Sequence, residues 1–461
     1  MEEAEAEAEV ESNRDNVEVA PALIAVHPEQ ISVAVAVGPD LRVFDLLAGS
    51  AASLVDECGA PFHKDPIRAI RFGSRGKLFV SAGDDKTVKI WSTESWRCVC
   101  TVSSEKRVSA VAISEDGCHV CFADKFGVVW VVDVAGSHGH VTLGDRKPTP
   151  LLSHYCSIIP SLEFSPDGRF ILSADRDSKI RVTNFPKKPL NGAHEIQSFC
   201  LGHTEFVSCL AFVHARECPQ GLLVSGSGDS TVRLWDISSG ALLDTCEVAA
   251  KSIMNYECIL LRSLTISRGG KSDILDPHLL FLKAGLLESN GEAEEHGHAV
   301  TDLCTTISGL LIAVAIQSLQ GIVLLSCDVS AQTLSVSKVV SIAGEAFVPT
   351  CLGFSPAEGK LWMVTGVSSL PACNYPPLAR VRVISAIDAE QEPVVLGDDE
   401  IPGGEKLLET LQGSASVDES AFLAAAEAVK TAMRNLLIKK QYPADNRESR
   451  KKTRNDRKLK M

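Results

Sequence analysis

Three sets of residues carry the side chains of a nucleophilic triad. They are His203, Ser225 and Asp229; His63, Ser81 and Asp85; and His154, Ser173 and Asp177. A histidine between a carboxylate and a hydroxyl is the arrangement that activates serine for acyl transfer. Recurrence argues against that chemistry here, because a triad needs one nucleophile in one pocket and not a copy per segment. In two of the sets a tryptophan, Trp91 or Trp235, follows the serine by ten residues; in the third, Thr183 stands at that place. A chain of hydrogen bonds from Asp229 through His203 and Ser225 to the Trp235 indole lets a buried segment hold one charge and several polar groups with none left unpaired. These sets are expected to be structural, and no catalytic residue is assigned.

Cysteine offers no second chemistry. There are 15 cysteines, an odd number without regular spacing, so no disulfide framework is expected. Cys118-His119-Val120-Cys121 is a CxxC pair. Zinc needs a second pair of ligands at a sensible distance, and none follows. The pair reads instead as part of a buried strand in which cysteine serves as a small hydrophobe. No metal site is expected. No glycine-rich loop lies between a strand and a helix, as a nucleotide-type cofactor would require.

The elements that position these residues repeat. Ser81–Ser92, Ser173–Asn184 and Ser225–Asp236 align without gaps. Each reads as a strand ending in serine, a tight turn closed by aspartate (Asp85, Asp177, Asp229) and an alternating strand. Each upstream histidine leads into another alternating strand, such as Val207–Phe212, and turn signals such as Ser165-Pro-Asp-Gly168 separate it from the next. The pattern resembles the WD repeat, which implies a β-propeller of four-stranded blades. Weaker units complete the ring at 31–44, with Gly38 at the turn position, 108–133, with Phe126 there, 299–329 and 347–385. The expected fold is all-β, a seven-bladed WD-repeat β-propeller over 18–390 with a polar insertion at about 267–298, followed by a linker over 391–415.

Beyond the linker, Ser416-Val-Asp-Glu419 is a capping box. Phe422, Ala426, Val429, Met433 and Leu436 follow at helical spacing and predict an amphipathic helix over 416–440, packed on the propeller or docked on a partner. The tail 441–461 carries Arg450, Lys451, Lys452, Arg454, Arg457 and Lys458. Such a cluster suits nuclear targeting, phosphate contact or a solvated end.

Charge is unevenly spread. The formal net charge of -14 comprises -6 in an acidic, tail-like segment 1–17, -16 in residues 18–433 and +8 in 434–461. A chain that is 45% hydrophobic and 23% charged forms cores. Its acidic body does not coat nucleic acid, so any RNA contact is expected to be local. No apolar run reaches the ~18 residues of a membrane span. The best candidate, 310–327, is interrupted by Gln317, Ser318 and Gln320. The acidic N-terminus lacks the apolar stretch of a secretory signal.

Two runs are more specific than the repeat. Phe170-Ile-Leu-Ser-Ala-Asp-Arg-Asp-Ser-Lys-Ile-Arg-Val182 and Ile196-Gln-Ser-Phe-Cys-Leu-Gly-His-Thr-Glu-Phe-Val-Ser208 closely resemble the WD-repeat non-catalytic subunit of eukaryotic tRNA (guanine-N7)-methyltransferase. That resemblance implies a nuclear heterodimer with a Rossmann-like methyltransferase. The partner would bind S-adenosylmethionine and form 7-methylguanosine in the tRNA variable loop. This chain would hold no cofactor, stabilise the catalytic subunit and help present tRNA. The charged strand of the fourth unit, with Arg176, Lys179 and Arg181, is the expected partner contact, and Arg181 can pair with a carboxylate in a bidentate manner. Lys89 and Arg233 occupy the same repeat position as Arg181, so a solvated basic face is the competing reading. The fold alone would also suit a scaffold or a ubiquitin-ligase substrate receptor. The WD-x-Arg ending of such receptors is absent, since Trp235-Asp236 is followed by Ile237-Ser238.

Overall fold

The second strand of each repeat is apolar almost throughout: Ser32–Val37 reads SVAVAV and Leu311–Ile316 reads LIAVAI. A strand with water on one face alternates polar and apolar residues; a strand covered on both faces does not. These sheets must therefore be sandwiched, and a closed ring of sheets achieves that without an end. The computed structural model has this architecture. It describes residues 19–413, less 135–146, 249–297 and short stretches at 58, 60, 155–156, 216–217, 307–309, 318, 343–348, 356–358, 369–376 and 388–391.

Seven four-stranded antiparallel sheets form the blades, spanning 23–51, 67–103, 108–153, 161–201, 207–247, 300–341 and 351–395. Each is built from four consecutive strands, and none borrows a strand from elsewhere in the chain. The first strands contact one another around the axis. Seven hydrophobic clusters fill the seven gaps between neighbouring blades.

Closure is local and comes from both ends. The amide of Ala22 donates to Gly366 O at 2.8 Å, Ser368 N to Ala20 O at 2.8 Å and Ala20 N to Ser368 Oγ at 2.9 Å. The segment 391–415, expected as a linker, instead contains the outer strand Val394–Val395 of blade seven and a helix, Gly404–Gln412. Leu407, Leu408 and Leu411 of that helix are buried in the cluster shared by blades seven and one. Gly403 enters the helix at φ +88°, where a Cβ would stand 2.9 Å from both Leu407 and Phe44, so only glycine fits. The expected helix 416–440, the insertion 267–298, the acidic segment 1–17 and the basic tail 441–461 lie outside the described residues.

Candidate functional site

In each of the three Ser/His/Asp sets the histidine precedes the first strand of a blade, the serine lies buried on its second strand and the aspartate stands in the turn to its third. In blade two, His63 Nδ1 is 2.9 Å from Asp85 and Nε2 is 2.8 Å from Ser81 Oγ, which accepts the Trp91 indole N–H at 3.0 Å. Blade five repeats the arrangement: His203 to Asp229 at 2.9 Å, His203 to Ser225 at 2.7 Å and Trp235 to Ser225 at 2.8 Å. The directions close consistently with a neutral imidazole. The indole donates to serine, the serine hydroxyl donates to Nε2 and Nδ1–H donates to the carboxylate. Ser81 and Ser225 are 0% exposed, so neither reaches a substrate. Burial alone would raise the Asp229 carboxyl, but the hydrogen bonds it accepts from His203, Thr231 and Thr204 lower it well below its ordinary value. Asp85 is lowered in the same way by His63 and Thr87.

Blade four corrects the expected set. His154 Nε2 meets Ser173 Oγ at 2.7 Å, but its Nδ1 partner is Asp175 at 3.1 Å and not Asp177. The second oxygen of Asp175 accepts the amides of Asp177 at 2.8 Å and Lys179 at 3.0 Å, so Asp175 also holds the turn. Blade three does likewise. Asp124 accepts the amides of Phe126 at 2.8 Å and Val128 at 3.1 Å and the Trp130 indole at 2.9 Å. Thr183, in the tryptophan position of blade four, has a buried hydroxyl with no hydrogen-bond partner among the described residues.

The basic residues at equivalent positions of three blades differ sharply in company. Lys89 lies 2.6 Å from Asp56, both side chains being 4% exposed. The segment carrying Asp56 lies along the outer edge of blade two, where Val55 bridges to Arg97. Arg233 lies 4.0 Å from Asp229 and donates to Thr231 at 3.2 Å. Arg181 donates to the Ser153 carbonyl at 3.1 Å and meets no carboxylate among the described residues. Its Nε is buried without an acceptor, and so is the Nε of Arg176 in the preceding turn. Burial lowers the Arg181 guanidinium from its ordinary pKa.

The strand Lys179–Asn184 brings Lys179 and Arg181 to one face, where register sets them opposite Leu201 and Phe199 of Ile196–Leu201. Leu201 is 59% exposed and Phe199 43%. The face thus joins two cations to two large apolar groups. The apolar half is legible only once the outer strand's register is known. Of the other candidates, Cys121 is fully buried in His119–Asp124, and burial pushes its thiol far up. Among the described residues no group of three or more His, Cys, Asp or Glu side chains is placed to hold a metal, and no helix is long and apolar enough to cross a membrane. Arg450, Lys451, Lys452, Arg454, Arg457 and Lys458 lie outside the described residues. The axial channel, about 510 Å³, is crossed by an ion pair between Arg71 of blade two and Glu163 of blade four.

Residues 151–358 match the family model described as the tRNA methyltransferase TRM82 WD40 domain, and 59–92 match the WD domain, G-beta repeat. The tRNA (guanine-N(7)-)-methyltransferase non-catalytic subunit of Xenopus laevis is 30% identical over 338 residues, covering 72% of this chain and 71% of that protein. Its counterpart in Dictyostelium discoideum is 31% identical over 251 residues, 51% of each chain. That in Homo sapiens is 38% identical over 186 residues, 40% of this chain and 41% of the relative. In these last two the match spans about half of the relative's length or somewhat less. Among solved structures, the RRP9 WD40 repeats superimpose with a TM-score of 0.52 at 17% identity over 76% of this chain and 88% of that one.

Proposed function

The chain belongs to the family of WD-repeat non-catalytic subunits of tRNA (guanine-N7)-methyltransferase, and from that premise we propose that it acts as this subunit in a nuclear heterodimer. The catalytic partner binds S-adenosylmethionine and methylates N7 of a guanine in the tRNA variable loop. The propeller stabilises that partner and helps present tRNA to it. The basic tail 441–461 serves nuclear entry or phosphate contact.

The observation that carries the reading is the contrast between Lys89 and Arg181. One fold position holds a neutralised cation in blade two and, in blade four, a half-buried guanidinium that meets no carboxylate among the described residues. A desolvated donor left unpaired costs about 1–3 kcal/mol. A partner carboxylate would satisfy it with paired N–H···O bonds. Phe199 and Leu201 beside it supply the apolar area that such a contact buries.

Co-expression with the catalytic subunit tests the proposal. Arg181→Glu should abolish co-purification while leaving the thermal melt of the chain unchanged. Methyl transfer to N7 of guanine should require the partner, and adding this chain should raise it. Retained co-purification of Arg181→Glu overturns the blade-four contact; methyl transfer by this chain alone overturns the non-catalytic role.

A further inference from the structure

The turns of blades two and three present an aromatic ring and three lysines together at one end of the propeller. Phe126 stands in the repeat position that Asp85, Asp177 and Asp229 hold elsewhere, and it is 52% exposed. The structural duty of that position has passed to Asp124, which accepts both turn amides and the Trp130 indole. The phenyl ring therefore has no capping role, and leaving an aromatic ring in water forfeits about 1.5–3 kcal/mol of burial. Above it lies Lys106, its Nζ 5.2 Å from the ring centroid.

The platform is rigid. Gly127, beside Phe126, has φ +82°, and a Cβ there would stand 2.2 Å from Ser157 O. Lys125 N donates to Arg107 O at 2.8 Å, and Ser104 N donates to Lys86 O at 2.7 Å, which ties the three turns into one surface. Lys86, Lys106 and Lys125 are exposed, as is Glu105. Arg107 lies 3.8 Å from Asp84, whose carboxylate also takes Arg68 at 2.6 Å, so the nearby acid is already neutralised.

We propose that Lys86, Lys106, Lys125 and Phe126 form an RNA-docking surface, the lysines meeting phosphates and the Phe126 ring stacking on an unpaired base. Single-stranded nucleic acid is held in this manner, by cations along the backbone and aromatic faces under the bases. A protein partner fits less well, because lysine is depleted from the core of protein interfaces. The surface is basic within a body of -16, which gives a polyanion one defined place to land. The identity of the RNA as tRNA rests on the subunit reading above.

The experiment measures tRNA binding over a salt series, for the full-length chain alone and for its complex with the catalytic subunit. The variants are Lys106→Glu/Lys125→Glu and Phe126→Ala, each with a thermal melt to confirm folding. The charge reversal should weaken binding at least tenfold and flatten the log–log salt slope by about 1.4–1.8, the loss of two phosphate contacts. Phe126→Ala should weaken binding about fivefold or more without altering the slope. Unchanged affinity and slope in folded variants overturns the proposal. So does loss of co-purification with tRNA affinity intact, which would mark a protein contact. If the unsubstituted chain fails to pair with the methyltransferase, the subunit reading falls, and tRNA binding by the chain alone still decides the surface.

Discussion

Asp175 holds His154 from a place two residues earlier in the chain than the carboxylates that hold His63 and His203. One oxygen takes the imidazole and the other takes two turn amides. Asp175→Ala leaves three donors to find new acceptors in a buried turn, and should cost about 2–4 kcal/mol. Asp177→Ala should cost under about 1 kcal/mol. Urea denaturation of the two variants separates them, and a larger loss at Asp177 would refute the assignment.

That exchange shows which parts of the fold were legible in sequence. Serine and tryptophan sit at a fixed offset because they lie on neighbouring strands, where register dictates position, whereas His63, His154 and His203 reach Ser81, Ser173 and Ser225 from the segments that precede each blade's first strand. The aspartate lies in a turn, where a carboxylate reaches the same amides from either of two backbone positions, so gapless alignment selected Asp177. The helix Gly404–Gln412 was missed for a different reason. Nine residues with three leucines give about two turns, too short for a periodic signal, and its stability comes from docking. Phe199 and Leu201 gave no signal either, since an outer strand reads alike whether its face is covered or open.

Lys89 and Arg181 should respond oppositely to truncation. Lys89→Ala abandons the Asp56 carboxylate in a site that is 4% exposed, and should destabilise the chain by about 3–5 kcal/mol. Replacing both partners by Met and Leu should recover most of that loss, because neither charge then remains buried. Arg181→Ala should change the melt little, since it removes an Nε that has no acceptor together with one exposed hydrogen bond, to the Ser153 carbonyl. Thermal melts of the four proteins decide it; a Lys89→Ala chain as stable as the parent would contradict the ion pair's role.

The helix Gly404–Gln412 acts as the clasp of the ring. Gln412 Oε1 accepts the Val381 amide at 2.8 Å, and Arg42 donates to the Leu411 carbonyl at 3.1 Å, so the helix end is fastened to blades seven and one together. Leu411→Ala should cost about 2–5 kcal/mol. The opening should be local, with hydrogen exchange accelerated at 20–26 and 364–368 and unchanged in blades three to five. Uniform acceleration around the ring would show that the seam is no weaker than the other blade contacts.

Two groups of aspartates give stability opposite dependences on pH. Asp302, on the channel wall in Val300–Thr305, is pushed up to about 6, burial outweighing the amides of Leu352 and Leu303 and the charge of Arg71. Its pKa in the unfolded chain is about 3.9. Between these values the native state binds the extra proton, so the contribution of Asp302 is full below about pH 4 and is lost as pH rises through 6. Asp85 and Asp229 are lowered in the folded chain, so their contribution is present above about pH 4 and is lost as pH falls below it. Asp302→Asn keeps an oxygen that can accept the Leu352 amide, now bound at 2.8 Å, and carries no charge at any pH. The Asn variant should therefore gain stability over the parent as pH rises from 5 to 7.5, while both proteins lose it alike below pH 4. Melting temperatures across that range test the sign: a difference between variant and parent that stays constant with pH would place the Asp302 pKa at its ordinary value.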